Sequence, residues 1–375
     1  MNRLSLFGAT VVAAFVAFIT ATSGPAAAQQ EFHIGVVASV TGAFASPTKD
    51  TFDGFYAWEK TRGLPGKKIV LTILDDETNP VNSANAFRKL AGDPAIQIII
   101  QNTNSSSALA TKSFASEYKV PIITGGGLDA LGVPANPWMF KVAPSSTDSL
   151  RALAVYIQKK GYKRIAHIYG TDAYGQNEHG IIDGFASQYG YTMVASESFA
   201  IDDTNFTAQW ARIRAAKPDL IYSSASGRAA ILSFKTYKQF GITTPFAASA
   251  AGVGAAFFKA IGGAKQADGM LSPTQRGTFA ITTGPSAEYY AALQKGLGHP
   301  PIYFNVFGYD IGLILEAAVK NSDGTRQGLR DALEKLKDLP CINGPVTYTP
   351  QNHTGNDFRA VAMGVLKDGV MVPAE

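Results

Sequence analysis

A short apolar run, Ile34–Val37, breaks off into a loop of small and hydroxyl-bearing residues, Ser39–Pro47, and a helical pattern follows it. The run is bounded by small residues and suits a strand buried on both faces. In the helical pattern Phe52, Phe55, Tyr56 and Glu59 share one face, and Gly54 allows close packing. Strand, polar turn and helix make the first half of a βαβ unit. In open α/β sheets ligands bind beyond the carboxyl ends of the strands. The loop that carries Phe44 and Ser46 is therefore a candidate site wall.

The scheme then repeats. Lys68–Leu74 reads as a second strand, and Asn79-Pro80 as a helix start with proline at the first helical position. Ile96–Ile100 runs into Asn102–Ser107, and Val120–Ile123 into Thr124-Gly125-Gly126-Gly127-Leu128. Trp138–Ala143, closed by Pro144, is expected to cross out of this lobe. A second series follows with strands at Arg164–Tyr169, Tyr191–Phe199 and Leu220–Ser223, and a further strand–loop–helix round over Pro245–Ala260. Gly269–Pro273 is expected to be another crossover. Helices are predicted near Ser286–Lys295, Tyr303–Lys320 and Gln327–Asp338, and late strands at Pro345–Thr349 and Phe358–Leu366. Two similar βαβ series, each with a parallel sheet, place the chain in the α/β class.

The first residues stand apart from this pattern. Arg3 precedes an apolar run from Leu6 to Ile19, and Ala26-Ala27-Ala28 forms a small-residue cleavage site. The run is shorter than the about 20 residues a membrane-spanning helix needs. Residues 1–28 are thus expected to be a signal peptide, with export to the periplasm and a mature chain of about 345 residues, a two-domain length. A hydrophobic fraction of 46% against 17% charged supports a large core. The net charge of +4 comes without any basic run, so no nucleic-acid partner is expected. Cys341 is the only cysteine and cannot form an intramolecular disulfide; it is either a reactive thiol or a buried structural one.

Several enzyme motifs are missing. Gly35–Gly42 lacks the GxGxxG spacing for a dinucleotide. Gly66-Lys67 is followed by Lys68, which excludes a phosphate-cradling GxxxxGK[ST] loop. Ala225-Ser226-Gly227 lacks the first glycine of a nucleophile elbow. The five histidines show no metal-ligand spacing, and His167, within a strand pattern, reads as a core residue. No cofactor or metal is expected. The loops that remain suit binding. Asn104, Ser105 and Ser106 lie where a helix begins, so free amides and hydroxyls face one space, a setting that favours a carboxylate. The same serines would also serve as plain helix caps. Tyr174 begins a helix in the second series and either covers a ligand or packs as an ordinary half-buried tyrosine.

Taken together, Ile34–Gly42 (IGVVASVTG), Leu74–Pro80 (LDDETNP), Gly170–Gly175 (GTDAYG), Thr204–Tyr222, Phe307–Asp310 (FGYD) and Gly344–Thr347 (GPVT) resemble the periplasmic solute-binding proteins of ABC transporters. The likeness is to the branched-chain amino-acid (Leu/Ile/Val) binding family of type I fold. The resemblance implies two Rossmann-like lobes joined by three hinge crossovers, near Pro144, near Pro273 and between Pro350 and Phe358. Lobe one would comprise 29–144 and 275–350, and lobe two 145–274 and 351–375. It implies carboxylate-binding loops at Asn104-Ser105-Ser106 and Gly126-Gly127-Leu128, a covering Tyr174, and Phe44, Ser226 and Phe307 on loops that line the cleft. Its acidic partner for an α-ammonium falls on Ala251, in Ser249-Ala250-Ala251-Gly252-Val253, and its loop threonine falls on Leu128. Both departures make the cleft less polar. The expectation is a monomeric receptor, not an enzyme, that carries a small carboxylate to an inner-membrane permease. An aromatic or other apolar acid is favoured. The alternative is a hydrophobic amino acid whose ammonium finds Asp129, Asp172 or Asp202. A ligand-sensing regulator and a secreted enzyme are the rival functional classes.

Overall fold

The computed structural model describes residues 30–375, so the expected signal peptide lies outside the described residues. β1 (Gln30–Ala38), α1 (Ala45–Thr61), β2 (Lys67–Asp75), α2 (Pro80–Gly92), β3 (Ile98–Asn102), α3 (Ser105–Leu109), α4 (Lys112–Tyr118), β4 (Ile122–Thr124) and β5 (Met139–Lys141) build the first sheet and its cover. All its pairings are parallel, in the order β2-β1-β3-β4-β5. Local signals explain the elements. Three consecutive isoleucines in β3 are buried on both faces of the sheet. Asn79 caps α2 by accepting from the Val81 amide at 2.8 Å, and Pro80 opens the helix.

The chain passes to the second sheet after Lys141. α5 (Ser146–Lys160) begins at a Ser145 cap and ends at Gly161, whose φ of 72° no side-chain-bearing residue adopts cheaply. Then come β6 (Arg164–Gly170), α6 (Ala173–Gly184), α7 (Ala186–Tyr189), β7 (Thr192–Phe199), α8 (Thr207–Ala215), β8 (Leu220–Ser223), α9 (Gly227–Gln239), β9 (Phe246–Ala248), α10 (Ala255–Ala260) and β10 (Leu271–Gln275). The chain next returns to the first sheet with α11 (Ala287–Leu297), α12 (Tyr303–Lys320) and α13 (Arg326–Glu334). It crosses a third time to finish as β11 (Val361–Lys367) and β12 (Val370–Pro373) in a seven-stranded sheet, β12-β11-β10-β9-β8-β6-β7. Helices cover both faces of each sheet, with α1 and α12 packed on one side of the first and α2 to α4 on the other.

Four expectations need correction. The second sheet is not wholly parallel: β10–β11 and β11–β12 are antiparallel. Asp368 and Gly369 turn the last hairpin with φ of 51° and 77°, the two positive values that a tight two-residue turn requires. Pro345–Thr349 joins neither sheet. Val346 instead pairs with Leu339 and Thr349 with Asn352, folding the segment back on itself. Trp138–Ala143 and Gly269–Pro273 are not simple connections, because β5 and most of β10 lie within them as paired strands. The Asp310 carboxylate, buried in α12, accepts from the amides of Ile342 (2.8 Å) and Asn343 (3.1 Å) and anchors the segment before the third crossing. Cys341 is fully buried beside it in the core, and burial holds its thiol well above the usual range.

Candidate functional site

Strand order reverses at β1 and β3 in the first sheet and at β6 and β8 in the second. At such a point adjacent loops diverge to opposite faces and leave a crevice beyond the strand ends. The loops after β1 and β3 therefore face those after β6 and β8. Beneath the first pair, the Ser39 and Thr103 hydroxyls both reach the Asp76 carboxylate, at 2.7 and 2.6 Å, which ties the ends of β1, β2 and β3 together.

A cavity with ≈ 640 Å³ of empty space, part of it open to solvent, lies between the two sheets. One wall is polar. It is formed by Asn104, Ser105, Gly126 and Gly127, with Gln101, Asn102 and Thr103 behind them. Asn104 Oδ1 accepts from the Ser107 amide at 2.8 Å, which fixes the start of α3. The first amides of a helix have no partner within it. Ser105 Oγ accepts from the Leu128 amide at 3.4 Å and keeps its own proton to donate. A Cβ on Gly127 would lie 2.9 Å from Tyr174 Cε2, so the tyrosine from the opposite sheet packs directly on this loop.

The other wall is aromatic. Phe44 meets Phe304 edge-on at 5.8 Å, and Tyr303 meets Phe304 at 5.1 Å and Phe307 at 4.8 Å. Ser226, Ala251 and Asp172 complete the lining from the second sheet. The Tyr174 hydroxyl lies 2.8 Å from Ser249 Oγ. Behind it Glu178 is buried and accepts from Tyr222 at 2.6 Å. Burial pushes the Glu178 carboxyl up to about 7 against the hydrogen bonds from Tyr174, Tyr222 and Ser146.

Of the residues singled out from sequence, Phe44, Asn104, Ser105, Gly126, Gly127, Tyr174, Ser226, Ala251 and Phe307 line this one cavity. Three do not. Ser106 instead bridges the cleft, its Oγ accepting from the Ala173 amide at 3.1 Å. The Leu128 side chain turns into the apolar core among Ala108, Leu131 and Met139. Ser46 lines a smaller neighbouring cavity with Pro47, Asp50 and Gly254. Two of the three carboxylates considered for an ammonium are placed elsewhere. Asp129 accepts from the Ser146 amide and the Thr147 hydroxyl at 2.6 Å each, and Asp202 is exposed outside the cavity. Asp172 lines it; burial raises its carboxyl, opposed by the Gly175 and Tyr174 amides. Tyr303 and Phe304 had no signal beyond two aromatic residues opening a helix after Pro300-Pro301. His167 is fully buried with Nε2 3.1 Å from Ser224 Oγ, a core residue as read. Among the described residues no cluster of three or more potential metal ligands occurs, and no helix is long and apolar enough to cross a membrane.

A family model described as periplasmic binding protein matches residues 31–369. The chain is 24% identical over 376 residues to a Leu/Ile/Val-binding protein homolog of Brucella melitensis, covering 96% of this chain and 98% of that one. An extracellular ligand-binding receptor from Rhodopseudomonas palustris HaA2 superposes with a TM-score of 0.80 at 27% identity, over 92% of this chain and all of that one (100%). A solute-binding protein of an R. palustris ABC transporter, in complex with benzoate, superposes with a TM-score of 0.80 at 21% identity, over 92% and 95% of the two chains.

Proposed function

The chain belongs to the periplasmic binding protein family, and we propose that it is the exported substrate-binding component of an ABC importer, one that closes on an aromatic or other apolar carboxylic acid. The observation that carries the reading is the division of the cavity into a polar wall of loop amides and hydroxyls and an aromatic wall, with Ala251 where an acidic partner would otherwise stand. The polar wall offers donors to a carboxylate. The aromatic wall encloses an apolar body. A free ammonium drawn into such a cleft would lose several kcal/mol of hydration without a facing anion.

In this reading residues 29–144 with 275–350 form one lobe, and 145–274 with 351–375 the other. Ligand biases their closure, and an inner-membrane permease reads the closed form. The receptor acts as a monomer, without catalysis, after cleavage near Ala28. The benzoate-bound neighbour and the Leu/Ile/Val-binding relative support, respectively, the acid and the amino-acid reading for this fold. The second reading, a hydrophobic amino acid, is favoured by Asp172, the one carboxylate of the three that lines the cavity.

Calorimetric titration with benzoate, 4-hydroxycinnamate, leucine and phenylalanine separates the two. Tight binding of the simple acids with little response to the amino acids is expected. Tight leucine or phenylalanine binding with none for the acids would overturn the acid reading and move the role to Asp172.

A further inference from the structure

Tyr303 stands between two cavities. On one side it lines the cleft cavity; on the other it lines a second cavity with ≈ 500 Å³ of empty space, part of it open to solvent, walled by Val253, Phe258, Tyr290, Pro301, Leu366 and Met371. The second cavity is built for apolar contents. Its two threonines satisfy one another, with Thr274 Oγ1 and Thr278 Oγ1 3.2 Å apart and Thr278 donating to the Gln275 carbonyl at 2.7 Å. Neither hydroxyl has a proton left to donate to a guest.

The partition is held firmly. The Tyr303 ring packs edge-on against Phe304 and Phe307, at interplanar angles of 85° and 82°. Its backbone opens α12, where Asn305 Oδ1 accepts from the Ile302 amide at 3.1 Å and Asn305 Nδ2 donates to the Asp50 carbonyl at 2.8 Å. An aromatic ring wedged between two others on an anchored helix start does not yield to a ligand without losing those contacts.

We infer that Tyr303 sets ligand length: it confines the bound acid to one ring or a short branched chain and bars the second cavity to longer apolar tails. This rests on the reading of the cleft cavity as the site for a small apolar acid, and it narrows that class. Removing the ring joins the two cavities into one elongated space, with the polar wall at the Asn104 end and apolar side chains at the other.

The test is calorimetry on the wild type, Tyr303→Ala and Tyr303→Phe, with benzoate against 6-phenylhexanoate. The wild type should prefer benzoate by about tenfold or more, as pockets that exclude extra methylenes do. Tyr303→Ala should narrow that preference at least about tenfold or reverse it, and Tyr303→Phe, which keeps the ring, should retain it. An equal preference in the wild type, or an unchanged one in Tyr303→Ala, overturns the inference while leaving the acid reading intact. Leucine against 2-aminooctanoate, run in parallel, judges the gate by the same criteria should the acids fail to bind. Failure of the wild type to bind any of the four overturns both. Tyr303→Leu, which still shortens the side chain, replaces Tyr303→Ala if the latter does not fold.

Discussion

Gly127 shows how one missing methyl sets the geometry of the cleft. Its Cα lies against the Tyr174 ring, and a Cβ there would come within 2.9 Å of it. Gly127→Ala must therefore push Tyr174, which also bonds Ser249, out of its place over the cavity. Such a shift costs about 1–2 kcal/mol, so ligand affinity should fall about tenfold. The ligand-free protein bears the same strain and should melt a few degrees lower, about 2–4 °C per kcal/mol. Calorimetry and thermal melts, read side by side, check this. An unchanged affinity would mean that Tyr174 does not cover the ligand.

Among the elements, α1 and α12 meet more closely than side chains ordinarily allow. A Cβ on Gly54 would lie 1.9 Å from the Asn305 carbonyl, and one on Gly308 1.9 Å from the Thr51 carbonyl. Each helix thus places a glycine against the backbone of the other. The contact holds the aromatic residues that open α12 next to Phe44, just ahead of α1, and so builds the aromatic wall. Gly308→Ala should lower stability by about 3 kcal/mol or more, since the clash is with backbone and no rotamer relieves it. Urea denaturation with an unchanged slope and a lower midpoint is the expected result. A midpoint equal to that of the wild type would show that the helices can separate at little cost.

Across the whole molecule, the cleft is bridged by Ala173 to Ser106, by the Arg228 amide to the Ala43 carbonyl at 3.1 Å, and by Asp50. Asp50 projects from α1 to the start of α10, where its carboxylate lies against Gly254 and near the Ala255 amide. It is only 4% exposed, and its Oδ2 has no partner. Burial pushes its carboxyl up to about 6 from the ordinary 3.8; the Ala255 amide, Lys49 and His299 act downward and Asp53 upward. If opening the cleft restores water to Asp50, closure takes up a proton in the window between those two values. A carboxyl raised in the closed state favours closure below its open-state value and loses that contribution as pH rises through about 6. Affinity for a ligand that stays ionised should therefore rise as pH falls from 7.5 to 5. Asp50→Asn should flatten that dependence, and the difference between the two proteins isolates Asp50 from Glu178 and Asp310. Identical pH profiles for both would rule out the effect.

Much of this was written in local sequence. Continuous isoleucine and valine runs can be buried on both faces, polar and glycine-rich loops at their ends mark the binding edge, and Asn79-Pro80 and Ser145 start helices wherever they occur. Those signals act over a few residues and fix the α/β class, the order of the main elements and the polar loop at Asn104-Ser105, whereas Ser226, Ala251 and Phe307 are placed at the cleft only by the family resemblance. The Asp368-Gly369 turn is an equally local signal, but the sequence reading places no strand beyond Leu366 and so misses β12. The rest depended on partners far along the chain. Leu128 follows two glycines of the polar wall, yet its side chain turns to the core because apolar burial outweighs its place in the loop. Pro345–Thr349 has the composition of a strand, but the Asp310 carboxylate and its own pairing with Leu339 take it out of either sheet. Tyr303 and Phe304 join Phe44 only because α12 returns to pack on α1. The burial of Asp50 requires the two sheets to face each other. Contacts of that kind follow from which surfaces meet, and no window of neighbouring residues contains that information.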